Sequence, residues 1–183
     1  EEGIANVILS ITSSIATSGI STYSADFDIS LFFILLTIVG GSLISTSSGF
    51  KYIRLYILIK ISFQEIYRLV KPINIFNKNL FNTESKIDDD DSKIAFLVFI
   101  LFIMSLFVLS GILTFDSLSF ENAFKLSILT LTNTVTSSIY GLENISFFDL
   151  NNFTKISLII FMILGKIEII AVLYLIKRFV FKE

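Results

Sequence analysis

The chain contains no cysteine, no histidine, no tryptophan and a single proline in 183 residues. Without cysteine there is no disulfide framework and no thiolate metal site, and without histidine the usual general base and the commonest transition-metal ligand are missing. Hydrolytic chemistry is a poor fit. An intramembrane protease is disfavoured on the same ground, because no paired intramembrane aspartates stand in for the missing base. Charge is scarce as well: 16% of residues are charged against 54% apolar, which excludes an ordinary soluble domain and makes the bilayer the expected solvent. A formal net charge of −2 points to neither nucleic acid nor an acidic partner. The chain opens on Glu1 with no signal-peptide pattern before its first apolar run, so an upstream portion is expected.

What is present is a set of apolar runs of two lengths. Ile94 to Phe115 carries no basic or acidic residue and, as a helix, reaches roughly 33 Å, enough for a bilayer core. Ile156 to Ile176 is a second span, flanked by Lys155, Lys177 and Arg178 but carrying Lys166 and Glu168 near its centre. A third runs from Ile29 to Val39, meets Gly40, Gly41 and a Ser/Thr-rich stretch ending at Gly49, and resumes over Phe50 to Ile61 with Lys51 and Arg54. Consecutive glycines followed by hydroxyl residues predict an interrupted helix there. Ile4 to Ile15 and Leu118 to Leu131 are helical in pattern but only about half the length of a span. Each leads into a Ser/Thr-rich turn, the arrangement of a re-entrant loop, whose irregular backbone is tolerated at membrane depth only where protein or a water-filled cavity surrounds it.

The expected fold class is therefore an all-α integral membrane protein built from repeats of helix, short re-entrant helix, polar turn and helix. One repeat is complete over residues 93–183, and residues 1–61 read as the same unit lacking its first helix. Residues 62–92 form a surface linker, with a short amphipathic helix before Pro72 and the acidic run Asp88 to Asp91. Lys60, Arg68, Lys71, Lys78, Lys86 and Lys93 lie on the linker side, and Lys177, Arg178 and Lys182 emerge on the same side, which the positive-inside rule makes cytoplasmic. The opposite loops carry Asp26, Asp28, Asp116, Glu121, Glu143 and Asp149, with Lys125 and Lys155 as exceptions. They form either an acidic vestibule that attracts cations or merely solvated loops.

The first polar turn reads Thr12-Ser13-Ser14-Ile15-Ala16-Thr17-Ser18-Gly19. A monovalent-cation site needs backbone carbonyls that replace the hydration shell without a full negative charge, small side chains that let several segments approach one axis, and a glycine free to adopt positive φ. The second turn, Leu131-Thr132-Asn133-Thr134-Val135-Thr136-Ser137-Ser138, has the same character but places Val135 where that glycine is expected, and a β-branched residue at positive φ is costly. Each turn alone reads more readily as a Ser/Thr cap on a short interfacial helix. Their recurrence in two equivalent places favours the ion site.

At this point the residues resemble a known family, the Trk/Ktr/HKT superfamily of cation transporters, over essentially the whole chain as the second half of such a subunit. Ala16-Thr17-Ser18-Gly19 is similar to its third filter and Leu131-Thr132-Asn133-Thr134 to its fourth, where Thr-Asn-Thr-Gly is common. Gly40-Gly41 through Ser45-Thr46 to Gly49, Lys51 and Ile53-Arg54 resembles its broken third-repeat helix. Glu65-Ile66 to Arg68-Leu69-Val70-Lys71-Pro72 resembles the cytoplasmic segment that follows, and Gly165-Lys166-Ile167-Glu168 the Gly-Arg-x-Glu element of the last helix. The departures are Val135 for the filter glycine, Lys166 for arginine and Lys71 where histidine is common.

The resemblance implies K⁺ uptake across a bacterial cytoplasmic membrane, with K⁺ at main-chain sites of Ala16, Thr17, Ser18, Gly19, Thr132, Asn133, Thr134 and Val135, and no cofactor. It implies lipid as surroundings, a homodimer, and a cytosolic nucleotide-binding regulatory subunit through which alone a nucleotide would act. It makes Gly40, Gly41, Ser45, Thr46 and Gly49 a gating loop below the filter, Lys166 a positive barrier in the pore and Glu168 a structural intramembrane charge. A central Lys or Glu costs about 2.5 to 3.5 kcal/mol on insertion scales, while each large apolar residue returns only about 0.3 to 0.6. Two such charges, projecting about 200° apart, are expected to serve a purpose, whether in the pore or as interhelical salt bridges. Val135 leaves open a Na⁺-permeable transporter of the same fold or a nonconducting membrane subunit.

Overall fold

The structure, a computed structural model, describes residues 2–20, 27–41, 48–70, 89–116, 118–142, 145, 147–148 and 150–166. Ser45, Thr46, Glu168, Lys71, Asp26, Glu143, Asp149 and the basic residues after 166 lie outside the described residues. Six α-helices are present among the described residues, with no strand: α1 Glu2–Ile15, α2 Phe27–Val39, α3 Tyr52–Val70, α4 Asp89–Phe115, α5 Phe120–Leu131 and α6 Asn152–Lys166. A 3-10 turn, Ser138–Tyr140, follows α5.

Length separates two kinds of helix. At 27 residues α4 extends about 40 Å, and it alone among the described residues is both long and apolar enough to cross a bilayer. At 14 and 12 residues, α1 and α5 reach only about 21 and 18 Å. The start of α5 is fixed locally: the Ser119 side chain accepts the Asn122 N–H, and Glu121 in the first turn meets the positive end of the helix dipole.

Two helix bounds differ from the sequence expectation. α3 runs unbroken from Tyr52 to Val70, so the amphipathic stretch before Pro72 continues the preceding helix and is not a separate one. α4 begins at Asp89, which makes the end of the acidic run its first turn; carboxylates are favourable at a helix N-terminus, and Asp90 also pairs with Lys93 at 3.0 Å. Residues 61–62 and 92–93 therefore fall inside helices.

α5 is the centre of the packing. It touches α4, α6 and α2, and Ala123 and every residue from Lys125 to Leu131 are buried. Phe33 and Ile34 of α2, Leu106, Leu109 and Leu113 of α4, Ile139 and Tyr140 of the 3-10 turn, and Leu158 of α6 close around it in one cluster. A smaller cluster, Ile57 with Ala95, joins α3 to α4.

The outer helices are packed inside out relative to a soluble protein. α1 buries Ser10, Ser13 and Ser14 while Ile4, Val7 and Ile8 are exposed; α2 buries Ser30 and Thr37 while Leu31, Phe32 and Leu35 are exposed. α6 does the same with Thr154 and Ser157 inside and Ile156, Ile159, Ile160 and Ile163 outside. Hydroxyls can face inward where they are bonded: Ser14 Oγ donates to the Ser10 carbonyl (2.8 Å), Thr37 Oγ1 to Ile34 (2.7 Å) and Ser157 Oγ to Phe153 (3.0 Å), while Ser13 Oγ pairs with Ser18 Oγ (2.9 Å). In water such a surface would be a large unstable patch, whereas against lipid or further apolar helices small polar contacts inside and large apolar side chains outside are the stable order.

Candidate functional site

The two half-length helices end in the same way. At the end of α1, the N–H groups of Ala16, Thr17 and Ser18 donate to the carbonyls of Thr12 (2.9 Å), Ser14 (3.1 Å) and Ser13 (3.0 Å). At the end of α5, those of Thr132, Asn133 and Thr134 donate to Ile128 (2.9 Å), Thr130 (3.1 Å) and Leu129 (2.9 Å), the same pattern at a constant offset of 116 residues. The side-chain bond repeats too, with Ser14 Oγ to Ser10 matched by Thr130 Oγ1 to Leu126 (2.7 Å). The crossed bonds are those of a helix closed by one left-handed residue. That residue is Thr17 in the first turn (φ 55°) and Asn133 in the second (φ 51°). Asparagine tolerates the position, whereas β-branched Thr17 is strained there by about 1–3 kcal/mol.

Gly19 is also left-handed, at φ 72°, but Val135, its counterpart by offset, is not among the positive-φ residues. The strain expected at Val135 is therefore absent. The second turn takes up its one left-handed conformation at Asn133 and leaves the Val135 side chain 62% exposed. Position and not composition decides the matter, because a helix of this type reverses at its second residue past the end.

The two turns meet. A Cβ built on Gly19 would lie 2.2 Å from the Val135 carbonyl oxygen and 2.8 Å from its nitrogen, so the backbones are in direct contact and only glycine fits. On the far side, α6 presses on the second turn: a Cβ on Gly165 would lie 2.0 Å from the Leu131 carbonyl oxygen, and Asn133 Nδ2 donates to the Met162 carbonyl at 2.8 Å. Thr17, Thr132, Thr134 and Gly19 are buried, Ser18 and Asn133 half-buried, and Ala16 exposed.

The electrostatics follow from direction. Both α1 and α5 point their C-terminal ends at this junction, and neither has a basic residue in its last turn. Each helix end contributes about half a negative elementary charge. The junction thus offers a partly negative, main-chain-rich surface, which suits a weakly held monovalent cation better than a divalent metal. No cluster of three or more acidic residues able to hold a metal exists among the described residues.

The break after α2 adjoins the first turn. The Phe50 N–H donates to the Ile38 carbonyl (2.9 Å) and the Tyr52 N–H to the Gly41 carbonyl (3.2 Å), so the chain leaves at Gly40–Gly41 and returns beside itself at Ser48–Gly49. Gly40 (φ 62°) and Gly49 (φ 95°) make the crossing possible: a Cβ on Gly40 would stand 2.6 Å from the Ser48 carbonyl oxygen, and one on Gly49 2.8 Å from that of Thr37. Ser48 is buried, and its N–H donates to Thr17 Oγ1 at 3.3 Å, which ties the neck of the break to the first turn.

No protein-family model matches the chain, and no curated protein matches it. Among solved structures, the crystal structure of the potassium transporter TrkH from Vibrio parahaemolyticus superposes on it with a TM-score of 0.83 at 21% identity, over 95% of this chain and 37% of that one. The fold is TrkH-like. This chain spans a little over a third of that protein's length.

Within the TrkH-like fold, some residues take places the sequence did not indicate. Lys125, grouped with the outer-face residues, lies in the expected short helix α5 but with its side chain only 5% exposed, paired with Glu121 at 2.7 Å. Tyr140 is wholly buried, and its hydroxyl lies 3.3 Å from Ser14 Oγ. Ser48 and Tyr140 carried no signal, being unremarkable residues whose placement depends on contacts distant in the chain. Lys166 closes the last turn of α6 with its side chain exposed, one residue beyond the Gly165 contact.

Proposed function

We propose that this chain is the pore-forming part of a monovalent cation transporter, taking up K⁺ across a bacterial inner membrane without chemical conversion of a substrate. The observation that carries this is the direct backbone contact of Gly19 with Val135, between two turns that close half-length helices with identical hydrogen bonds. Two such turns supply part of a ring of carbonyls, and two further turns, from residues beyond this chain or from another copy, would complete it. Filter roles go to Ala16, Thr17, Ser18 and Gly19 and to Thr132, Asn133, Thr134 and Val135; a gating role goes to the segment from Gly40 to Gly49, including Ser45 and Thr46. Glu168 is assigned to helix packing. Homodimerisation and a cytosolic nucleotide-binding regulatory subunit belong to the same reading.

Expression of the complete protein in a bacterium lacking its own potassium uptake tests the proposal. Growth at low external K⁺ and saturable K⁺ uptake are the expected results; an abundant, membrane-inserted protein with neither would refute it. A Na⁺-permeable variant of the same pore is the second reading, favoured by Val135, and would appear in the same cells as Na⁺ uptake that K⁺ fails to suppress. The positive charge of Lys166, next to the residue that abuts the Leu131 carbonyl, is assigned as a barrier below the site. Lys166→Ala should then raise flux, and unchanged flux would remove that assignment.

A further inference from the structure

We propose that Tyr140 acts as a positioning residue for K⁺ over Na⁺ discrimination, by holding the two turns at a fixed separation through its hydrogen bond to Ser14. The inference rests on reading the turns as one cation site. Its geometry is independent of the filter residues themselves.

Ser14 and Tyr140 each belong to the backbone of a different turn. Ser14 is in the last turn of α1, and its carbonyl accepts the N–H of Thr17, the left-handed residue of the first turn. Tyr140 ends the 3-10 turn reached five residues after Val135, with its own N–H bonded to the Ser137 carbonyl at 3.1 Å and Gly141 closing the turn at φ 67°. The side-chain contact between them therefore ties the end of α1 to the segment that follows the second turn, joining residues 126 apart in sequence.

The bridge has a definite polarity. Ser14 Oγ has one hydrogen, and the Ser10 carbonyl takes it at 2.8 Å. The Tyr140 hydroxyl must then be the donor to Ser14 Oγ, giving a relay from phenol to hydroxyl to helix carbonyl. At 3.3 Å between oxygens the bond is longer than the usual 2.5–3.0 Å. It therefore opposes separation of α1 from the 3-10 turn, and the ring is fully buried in the cluster that joins α2, α4, α5 and α6. Both residues are 0% exposed, so neither side chain has a solvent-facing alternative. A carbonyl ring that must stay wide enough for a larger ion and not collapse on a smaller one needs such a support behind it, whichever of cavity size or carbonyl field sets the preference.

The test uses the complete protein, with K⁺ and Na⁺ uptake measured separately for wild type, Tyr140→Phe, Ser14→Ala and the double variant, each normalised to membrane abundance. Tyr140→Phe keeps the ring and removes only the donor. The expected result is retained K⁺ transport with at least a threefold fall in the K⁺/Na⁺ ratio and a raised KM for K⁺ in both single variants, and a double variant no worse than either. Loss of maximal rate alone, with KM and ion ratio unchanged, would mark a merely structural contact and overturn the proposal; so would effects that add independently in the double variant. If Tyr140→Phe fails to accumulate, Ser14→Ala carries the same expectation and the same refutation. A wild type that takes up no K⁺ would defeat the transporter reading itself, whereas a selective wild type with unaltered variants would defeat only the role of Tyr140.

Discussion

Adding one methyl group at Gly19 should disable the junction between the two turns. An alanine there would keep a left-handed backbone at φ 72°, which costs an L-residue about 1–2 kcal/mol. Its Cβ would also stand 2.2 Å from the Val135 carbonyl oxygen and 2.9 Å from the carbonyl carbon, both main-chain atoms that no rotamer change can move. Relief requires the turns to part by about 1 Å, and overpacking of this kind costs about 1–3 kcal/mol more. If only about 1.4 kcal/mol of that total falls on ion coordination, affinity drops tenfold. The assay is K⁺ uptake kinetics of the complete protein at matched membrane abundance, with at least a tenfold rise in KM or loss of uptake expected for Gly19→Ala and Gly19→Ser alike. Gly111→Ala is the control: it lies in α4 with nothing within 4 Å of its Cβ, so helix propensity alone makes it neutral or slightly stabilising. Wild-type KM and ion preference in Gly19→Ala would refute the argument.

Three other outcomes follow from the same geometry. Asn133→Gly should lose only the bond to the Met162 carbonyl, about 0.5–1.5 kcal/mol, whereas Asn133→Ala should lose that and be strained at φ 51°; thermal unfolding in detergent should rank them in that order. Replacing Lys125 by methionine should be close to neutral, while Glu121→Gln, which takes the carboxylate from a buried ammonium, should lower the unfolding temperature more; the reverse ranking would mean that the pair does not matter. Deleting residues 43–46 should raise cation flux, with the bonds of Phe50 to Ile38 and Tyr52 to Gly41 across the neck keeping the protein folded; unchanged or abolished flux with normal folding would count against a gate.

Much of this architecture was legible in the sequence because it depends on run length and on glycine. The twelve residues of α5 and fourteen of α1 are too short to span, and the stop of α2 at Val39 sits immediately before Gly40–Gly41. The second turn was misread in detail. Composition suggested that Val135 must adopt the conformation of Gly19, but hydrogen bonding places the left-handed residue two positions earlier, at Asn133, where its type is suited. The pattern of Leu118 to Leu131 put Lys125 in a helix, but its burial and its pairing with Glu121 one helical turn away depend on how α5 packs. Likewise α3 carries polar residues such as Gln64, Glu65 and Arg68 past position 61 without a break, because a helix leaving the apolar layer changes its side chains before its backbone. Contacts between residues far apart in the chain, such as Tyr140 with Ser14 and Ser48 with Thr17, have no local signature at all.

The neck formed by Gly40 and Gly49 has a consequence for how this protein can vary. Main-chain hydrogen bonds from the Phe50 N–H to Ile38 and from the Tyr52 N–H to Gly41 clasp the base of the excursion from 41 to 48. Lengthening that excursion would cost only about 0.6 kcal/mol per doubling, a small charge against the rigid junction beneath it. The length of that excursion can therefore vary while the contact between Gly19 and Val135 stays the same.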